Sequence, residues 1–292
     1  MSKTNFIFFG TGEFAVGVLN ELKNHGIVPK MIVTKPDAPS GRHLMLTPPA
    51  IKVWADENGI EALQAEKLTS IVKKLSTFNA DVFLVSDFGK IIPSEILQIP
   101  RLGVLITHQS LLPKHRGTSP IQYAILNGDK ETGVSIILSD DQIDHGKVLT
   151  QDRIELTLTE TSKDLENTLS KLGGEMLARL FESLEESIEQ AEPQDDSKAT
   201  FTQKIKKTDG FIESEICLGL SEDEEVNMKA ERKVRAYFPT PIAFTILKSK
   251  NGKEIRLQIL KAIMEQKRFT PTLVRPEGKK EMSFEDFLRG FL

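Results

Sequence analysis

The opening run NFIFFGTGEFAVGVLNELK narrows the fold of this chain more than any other stretch. Asn5 to Phe9 is a short apolar run suited to a strand buried on both faces, and Gly10-Thr11-Gly12 turns the chain out of it. From Glu13 to Lys23 the apolar residues switch to helical spacing, at Phe14, Val18, Leu19 and Leu22. Strand, glycine turn and helix in that order open an α/β domain built on a mostly parallel sheet. Gly10, Gly12 and Ala15 also fit G-x-G-x-x-A, the fingerprint of dinucleotide-binding turns. The second strand, Val28 to Thr34, ends on Thr34 and Lys35 where a ribose-binding acid belongs, so a nicotinamide dinucleotide is not the expected ligand.

Val82 to Val85 and Val104 to Thr107 read as further buried strands. The latter ends on His108 and enters SLLPKHRG, a turn-rich run. Open α/β sheets keep their chemistry just beyond strand ends. Asp144 lies in QIDHG, the loop after the apolar alternation of Gly133 to Leu138, where it can reach the same region. A carboxylate beside a histidine fixes its tautomer and supports its charged form, giving a general base near neutral pH. Taken alone, a histidine and an aspartate 36 positions apart are more often unrelated surface residues.

The 292 residues are ample for two domains, and 27% charged with 39% hydrophobic residues is ordinary for a soluble globular chain. One cysteine, Cys217, excludes an internal disulfide and fits a reducing, cytoplasmic setting. No run approaches the roughly 20 apolar residues of a membrane span. The charge is uneven: residues 201–292 carry 18 basic against 14 acidic side chains, net +4, and the remainder is −8. A mildly basic C-terminal part points to a polyanionic partner, although a solvated surface has the same signature.

Ala50 to Glu57 predicts a helix with Trp54 in the core, and Ile71 to Leu75 belongs to another. A helix from Ser119 stops at Asn127-Gly128. Gly133 to Leu138 and Lys147 to Ile154 read as strands, and Leu165 to Leu184 as one long helix. Residues 1–188 are expected to form the first domain. The acidic, polar stretch at 189–203, interrupted by Pro193, reads as a linker. In 204–292 a short helix near Val226 to Arg235 is followed by short alternating strands through TPTLVRPEGKKEMSFEDFL, a pattern of small, open, OB-like β-barrels.

The run HQSLLPKHRGTSPIQYAILNGDKETGVSI resembles the signature of folate-dependent formyltransferases, Asn-x-His-x-Ser-Leu-Leu-Pro-x-x-x-Gly with an Asp in a later x-Asp-x-Gly loop. The resemblance places His108 and Asp144 on the family's catalytic pair and Ile106 on its Asn. In the family that amide donates to the formyl oxygen, and loss of one such donor typically costs on the order of 100 to 1,000-fold in rate. It also implies a pocket for 10-formyl-tetrahydrofolate, with no metal, lined by Asp87, Gly89, Ser110, Leu111, Leu112 and Pro113. Asp87 replaces a small family residue.

GTGEFA is similar to the family's Gly-Thr-Pro-Glu-Phe-Ala, with Gly12 in the Pro position. In KPDAPSGRHLMLTPPAIK, Arg42 falls on the family's Arg, and His43, Leu44 and Met45 replace the lysines that commonly follow. KIKK-x-DG, VRAYFPTP, LQILKA and PEGKKEMSFEDFLRG match the second domain of the family members that act on methionyl-tRNA. The expected fold is therefore a Rossmann-like formyltransferase domain followed by a smaller OB-like barrel. The expected reaction carries a formyl group from 10-formyl-tetrahydrofolate to initiator methionyl-tRNA, catalysed by a cytoplasmic monomer. Gly12, Phe14, Arg42, Lys206, Lys207, Lys233 and Arg235 are the implied tRNA contacts. Two alternatives stay open, an impaired homologue that binds tRNA or folate and a formyltransferase for amino-sugar nucleotides.

Overall fold

A computed structural model of the chain describes residues 4–40 and 44–291. Strand and helix alternate through β1 (Phe6–Gly10), α1 (Glu13–Asn24), β2 (Met31–Thr34), β3 (Ala38–Ser40), β4 (Met45–Thr47), α2 (Ala50–Glu57), β5 (Ala62–Gln64), α3 (Val72–Ser76), β6 (Val82–Ser86), α4 (Ser94–Leu97) and β7 (Val104–His108). β8 (Arg116–Gly117), α5 (Pro120–Asn127), β9 (Glu131–Leu138), β10 (Lys147–Glu155), α6 (Ser162–Leu180), α7 (Leu184–Glu189) and β11 (Phe201–Thr202) come next. The chain ends with α8 (Ser214–Cys217), α9 (Glu224–Ala236), β12 (Ala243–Lys248), β13 (Glu254–Glu265), β14 (Arg268–Pro276), β15 (Met282–Ser283) and α10 (Phe284–Phe291).

These elements gather into two compact units, Met1–Thr118 with Thr132–Ile154 and Glu166–Thr202, and Ser119–Glu131 with Glu155–Leu165 and Gln203–Leu292. The first holds a sheet of order β10-β9-β7-β6-β1-β2-β5. Its strands β5, β2, β1, β6 and β7 pair in parallel, and β9 joins β7 antiparallel. The continuous apolar runs of β1, β2 and β6 are buried along their whole length, as strands covered on both faces must be. On one face Ile7, Phe9, Met31, Val33, Phe83, Val85 and Val104 form a core with Ile96 and Leu75. Trp54 is buried as expected, and its indole N–H donates to Asn20 Oδ1 at 2.7 Å.

Residues 189–203, expected as a linker, are tied into the first unit as far as Thr202. Phe201 and Thr202 pair in parallel with Arg116 and Gly117, and Arg116 N donates to Thr200 O at 2.9 Å. The single long helix expected from Leu165 to Leu184 divides at Leu180 and resumes at Leu184.

In the second unit an antiparallel sheet of order β12-β13-β14-β15 is packed by α9 and α10. Asp223 caps α9, accepting from the backbone N–H of Glu225 and Val226 at 2.9 and 3.2 Å. FEDFL, expected among the strands, instead opens α10. Phe284, Phe287, Leu288 and Phe291 recur at helical spacing and put one apolar stripe on the core. Among the described residues no helix is long and apolar enough to cross a membrane.

Candidate active site

Four parallel strands of the first unit end on or just before residues able to do chemistry. Lys35 follows β2, Thr11 and Gly12 follow β1, Asp87 follows β6, and His108 closes β7. Alternation along β7 puts Val104, Ile106 and His108 on one face and Leu105 and Thr107 on the other. Ile106 pairs with Val85 and Ile137, and packs its side chain against the core described above. It therefore shares a face with His108 and offers it no polar group.

His108 is only 5% exposed. Its Nε2 lies 2.9 Å from the His115 carbonyl oxygen. A carbonyl only accepts, so Nε2 carries the hydrogen. The other ring nitrogen, Nδ1, faces Asp144 Oδ1 at 3.6 Å, an ion-pair distance rather than a hydrogen bond. The second carboxylate oxygen of Asp144 accepts the Gly117 backbone N–H at 2.8 Å. One oxygen is thus anchored while the other is presented to the imidazole.

The loop that shapes this pair is held from inside. Ser135, fully buried and opposite His108 in the β7–β9 register, donates to Ser110 O at 2.6 Å and accepts from Leu112 N at 3.0 Å and from Gln151 Nε2 at 2.7 Å. Ser110 Oγ donates to Lys114 O at 2.5 Å, and Pro113 O accepts from Thr200 N at 3.2 Å. The Leu111 side chain lies where a Cβ on Gly133 would sit. Asp144 itself takes a left-handed φ of +51°, uncommon for a residue with a side chain, so the loop needs its external bonds. The Asp140 carboxylate, hydrogen-bonded at 2.6 Å, holds the neighbouring His145 imidazole above its ordinary value.

At the end of β6 the Asp87 carboxylate packs so closely on Gly12 that a Cβ there would lie 2.2 Å from Oδ2. The Gly12 backbone N–H also donates to it. A proline at 12 would supply neither the space nor the donor. Asp87 as a residue is open to solvent, but its carboxylate is crowded by protein atoms. That crowding, with the negative charge of Glu166, pushes its pKa up to about 6, while Lys35 and the Gly12 N–H act in the opposite direction. Gly89, two residues on, has a φ of +61° and leaves room for the Lys35 ammonium.

The other expected residues are dispersed. Arg42 lies outside the described residues. Phe14 is 1% exposed and belongs to the core, as its place on the apolar face of α1 requires, so it presents no surface to a partner. In the second unit Lys206 and Lys207 are exposed. Lys233 instead donates to Phe211 O at 2.8 Å, and burial pulls its pKa down. Arg235 grips both carboxylate oxygens of Glu231, at 2.6 and 2.9 Å, and donates to Glu160 O. Both serve the unit's interior. Sequence reasoning passed over Ser135, Arg116 and Gln194, whose partners lie far off in the chain; nothing in their immediate surroundings marks them.

A formyl transferase family model matches residues 2–181, which include both His108 and Asp144. The methionyl-tRNA formyltransferase of Halalkalibacterium halodurans is 33% identical over 97% of this chain and 94% of its own length. That of Thermodesulfovibrio yellowstonii is 34% identical over 98% and 96%. Among solved structures, a methionyl-tRNA formyltransferase from Clostridium thermocellum shares the fold, with a TM-score of 0.58 at 18% identity over 96% of this chain and 99% of that one. A buried histidine–aspartate pair at a strand end, inside a domain whose sequence matches that model and with relatives this similar over nearly their whole length, places the chain in the formyl transferase family.

Proposed function

We propose that the chain transfers a formyl group from 10-formyl-tetrahydrofolate to the α-amino group of methionine on initiator tRNA. The observation that carries this reading is the His108–Asp144 pair, with one carboxylate oxygen anchored by Gly117 and the other turned to the ring. Acyl transfer to an amine needs a proton removed from the attacking nitrogen and one delivered to the leaving folate nitrogen. His108 and Asp144 hold and move that proton. The Ser110 to Pro113 loop and the Asp87 to Gly89 turn provide the folate walls. Residues 1–188, with the strap up to Thr202 that is tied to them, carry the chemistry, and 204–292 bind the tRNA backbone, with Lys206 and Lys207 among the phosphate contacts. Arg42 and the turn at Gly12 meet the acceptor end. The protein works as a cytoplasmic monomer.

Ile106 favours a slow version of this reaction. It has no group to meet the charge that develops on the formyl oxygen, and it shares the face of His108. The test is single-turnover formyl transfer from 10-formyl-tetrahydrofolate to methionyl-tRNA, in the natural chain and in Ile106→Asn. Weak transfer is expected, rising at least about tenfold in the variant as one oxyanion donor is restored. Equal, substantial rates would mean that the donor comes from elsewhere. Absence of transfer in both, with tRNA still bound in a salt-dependent way, would favour a binding protein over an enzyme.

A further inference from the structure

Asp144 reaches His108 from a strained loop, and one side chain in the strap after α7 grips that loop on both sides of His145. Gln194 Nε2 donates to the carbonyl oxygens of Asp144 and Gly146, at 2.9 and 2.8 Å. Its Oε1 accepts from Arg116 Nε and Nη2, at 3.0 and 2.8 Å. Arg116 immediately precedes Gly117, whose N–H anchors the Asp144 carboxylate. Both hydrogens of the amide nitrogen are used, and the amide oxygen takes two bonds. One amide therefore joins the loop that carries Asp144 to the segment that carries its anchor.

The neighbourhood leaves the loop little alternative placement. A Cβ on Gly146 would lie 1.9 Å from Leu138 O, so the backbone is already in close contact there. Arg116, 4% exposed, donates from the same Nη2 to Asp196 at 2.7 Å, and Asp196 also faces His145 Nε2 at 3.4 Å. His115 N donates to Thr200 Oγ1 at 2.8 Å, so the strap also steadies the residue whose carbonyl takes His108 Nε2.

We infer that Gln194 is a positioning residue: it sets the Asp144 carboxylate against His108 without touching substrate. The inference rests on the catalytic reading of that pair. Gln194→Ala removes both arms of the amide. Gln194→Glu keeps the partner of Arg116 but turns an oxygen toward two carbonyl oxygens, which separates the loop contact from the arginine contact. Ångström-scale misplacement of a catalytic group costs on the order of 100-fold. Steady-state transfer is expected to show kcat lowered roughly 10 to 100-fold in both variants, with KM for methionyl-tRNA within about twofold, and the pH dependence of kcat displaced.

Amide hydrogen exchange provides a readout independent of transfer. The Gly117 N–H should exchange at least about tenfold faster in both variants while Phe8 and Leu84, in the sheet interior, stay protected. Unchanged Gly117 protection with kcat within twofold would overturn the inference. So would a uniform loss of protection that includes Phe8, since Gln194 would then only stabilise the fold. Absence of transfer in the natural chain would count against the proposed function, and Gly117 exchange alone would then decide the role of Gln194.

Discussion

Two loops of the first unit invert the ordinary rule that apolar residues are held and polar ones are free. The Asp140 to Gly146 loop is polar, yet its Asp140 and Asp144 carboxylates, its histidine and two of its carbonyls have partners. The β3–β4 hairpin carries an apolar run, yet Leu44, Met45 and Leu46 are 72%, 68% and 69% exposed. Its strands are exposed throughout, and Thr47 Oγ1 donates within the hairpin, to Met45 O at 2.9 Å. Order follows the geometry that a reaction needs, and exposure of this kind suits a surface that waits for a partner.

The strongest way to break the contrast is Asp144→Asn. The side-chain oxygen still accepts the Gly117 N–H, but the charge beside His108 is gone. Single-turnover transfer should fall by about 100 to 10,000-fold with little change in urea midpoint, the range for a general acid–base group. A fall smaller than tenfold would make the held loop structural only.

The hairpin should behave in the opposite sense. Replacing Leu44, Met45 and Leu46 together by serine should leave unfolding free energy within about 0.5 kcal/mol, as for surface substitutions. KM for methionyl-tRNA should rise about tenfold, roughly 1.4 kcal/mol of lost contact. Unchanged KM with raised stability would show that the apolar side chains serve no partner.

Asp87 provides the smallest and sharpest comparison, because its loop is neither fully held nor free. Its folded pKa, raised to about 6 by burial, lies above the ordinary carboxylate range, so the folded state keeps the proton longer than the unfolded chain. Stability should therefore fall as pH rises from that range toward about 6 and then level off. Asp87→Asn should abolish that fall, read as urea midpoints at pH 4.5 and 7.5, while its side-chain oxygen still accepts from Gly12. A natural chain whose midpoint rises over the same interval, with no difference in the variant, would contradict the burial argument.

Periodicity carried most of the fold. The apolar runs of β1, β6 and β7 and the helical spacing of α1 and α9 survive as read, because burial on two faces or one stripe leaves a local trace. α10 was legible in the same way, through Phe284, Phe287 and Phe291, but the turn residues just before it favoured strands. Phe14 shows two signals in conflict: motif position suggested a contact surface, helical spacing a core residue, and the core prevails. Gln194 lay beyond reach because its partners stand 50, 48 and 78 positions away, and an acidic, proline-bearing stretch looks the same whether it is free chain or clamp.

The pairing of Phe201 and Thr202 with Arg116 and Gly117 bears on how the protein is made. A nascent chain that has left the ribosome only as far as residue 181, where the family match ends, already carries His108 and Asp144. It lacks Gln194, Thr200 and Thr202, and so the bonds that Gln194 gives the Asp144 loop and that Thr200 gives His115. Since domains tend to fold in order of emergence, the sheet can form first and the site close afterwards. If Gln194 positions Asp144 as inferred above, a nascent chain is expected to reach full activity only after the residues that lead into the next unit have appeared.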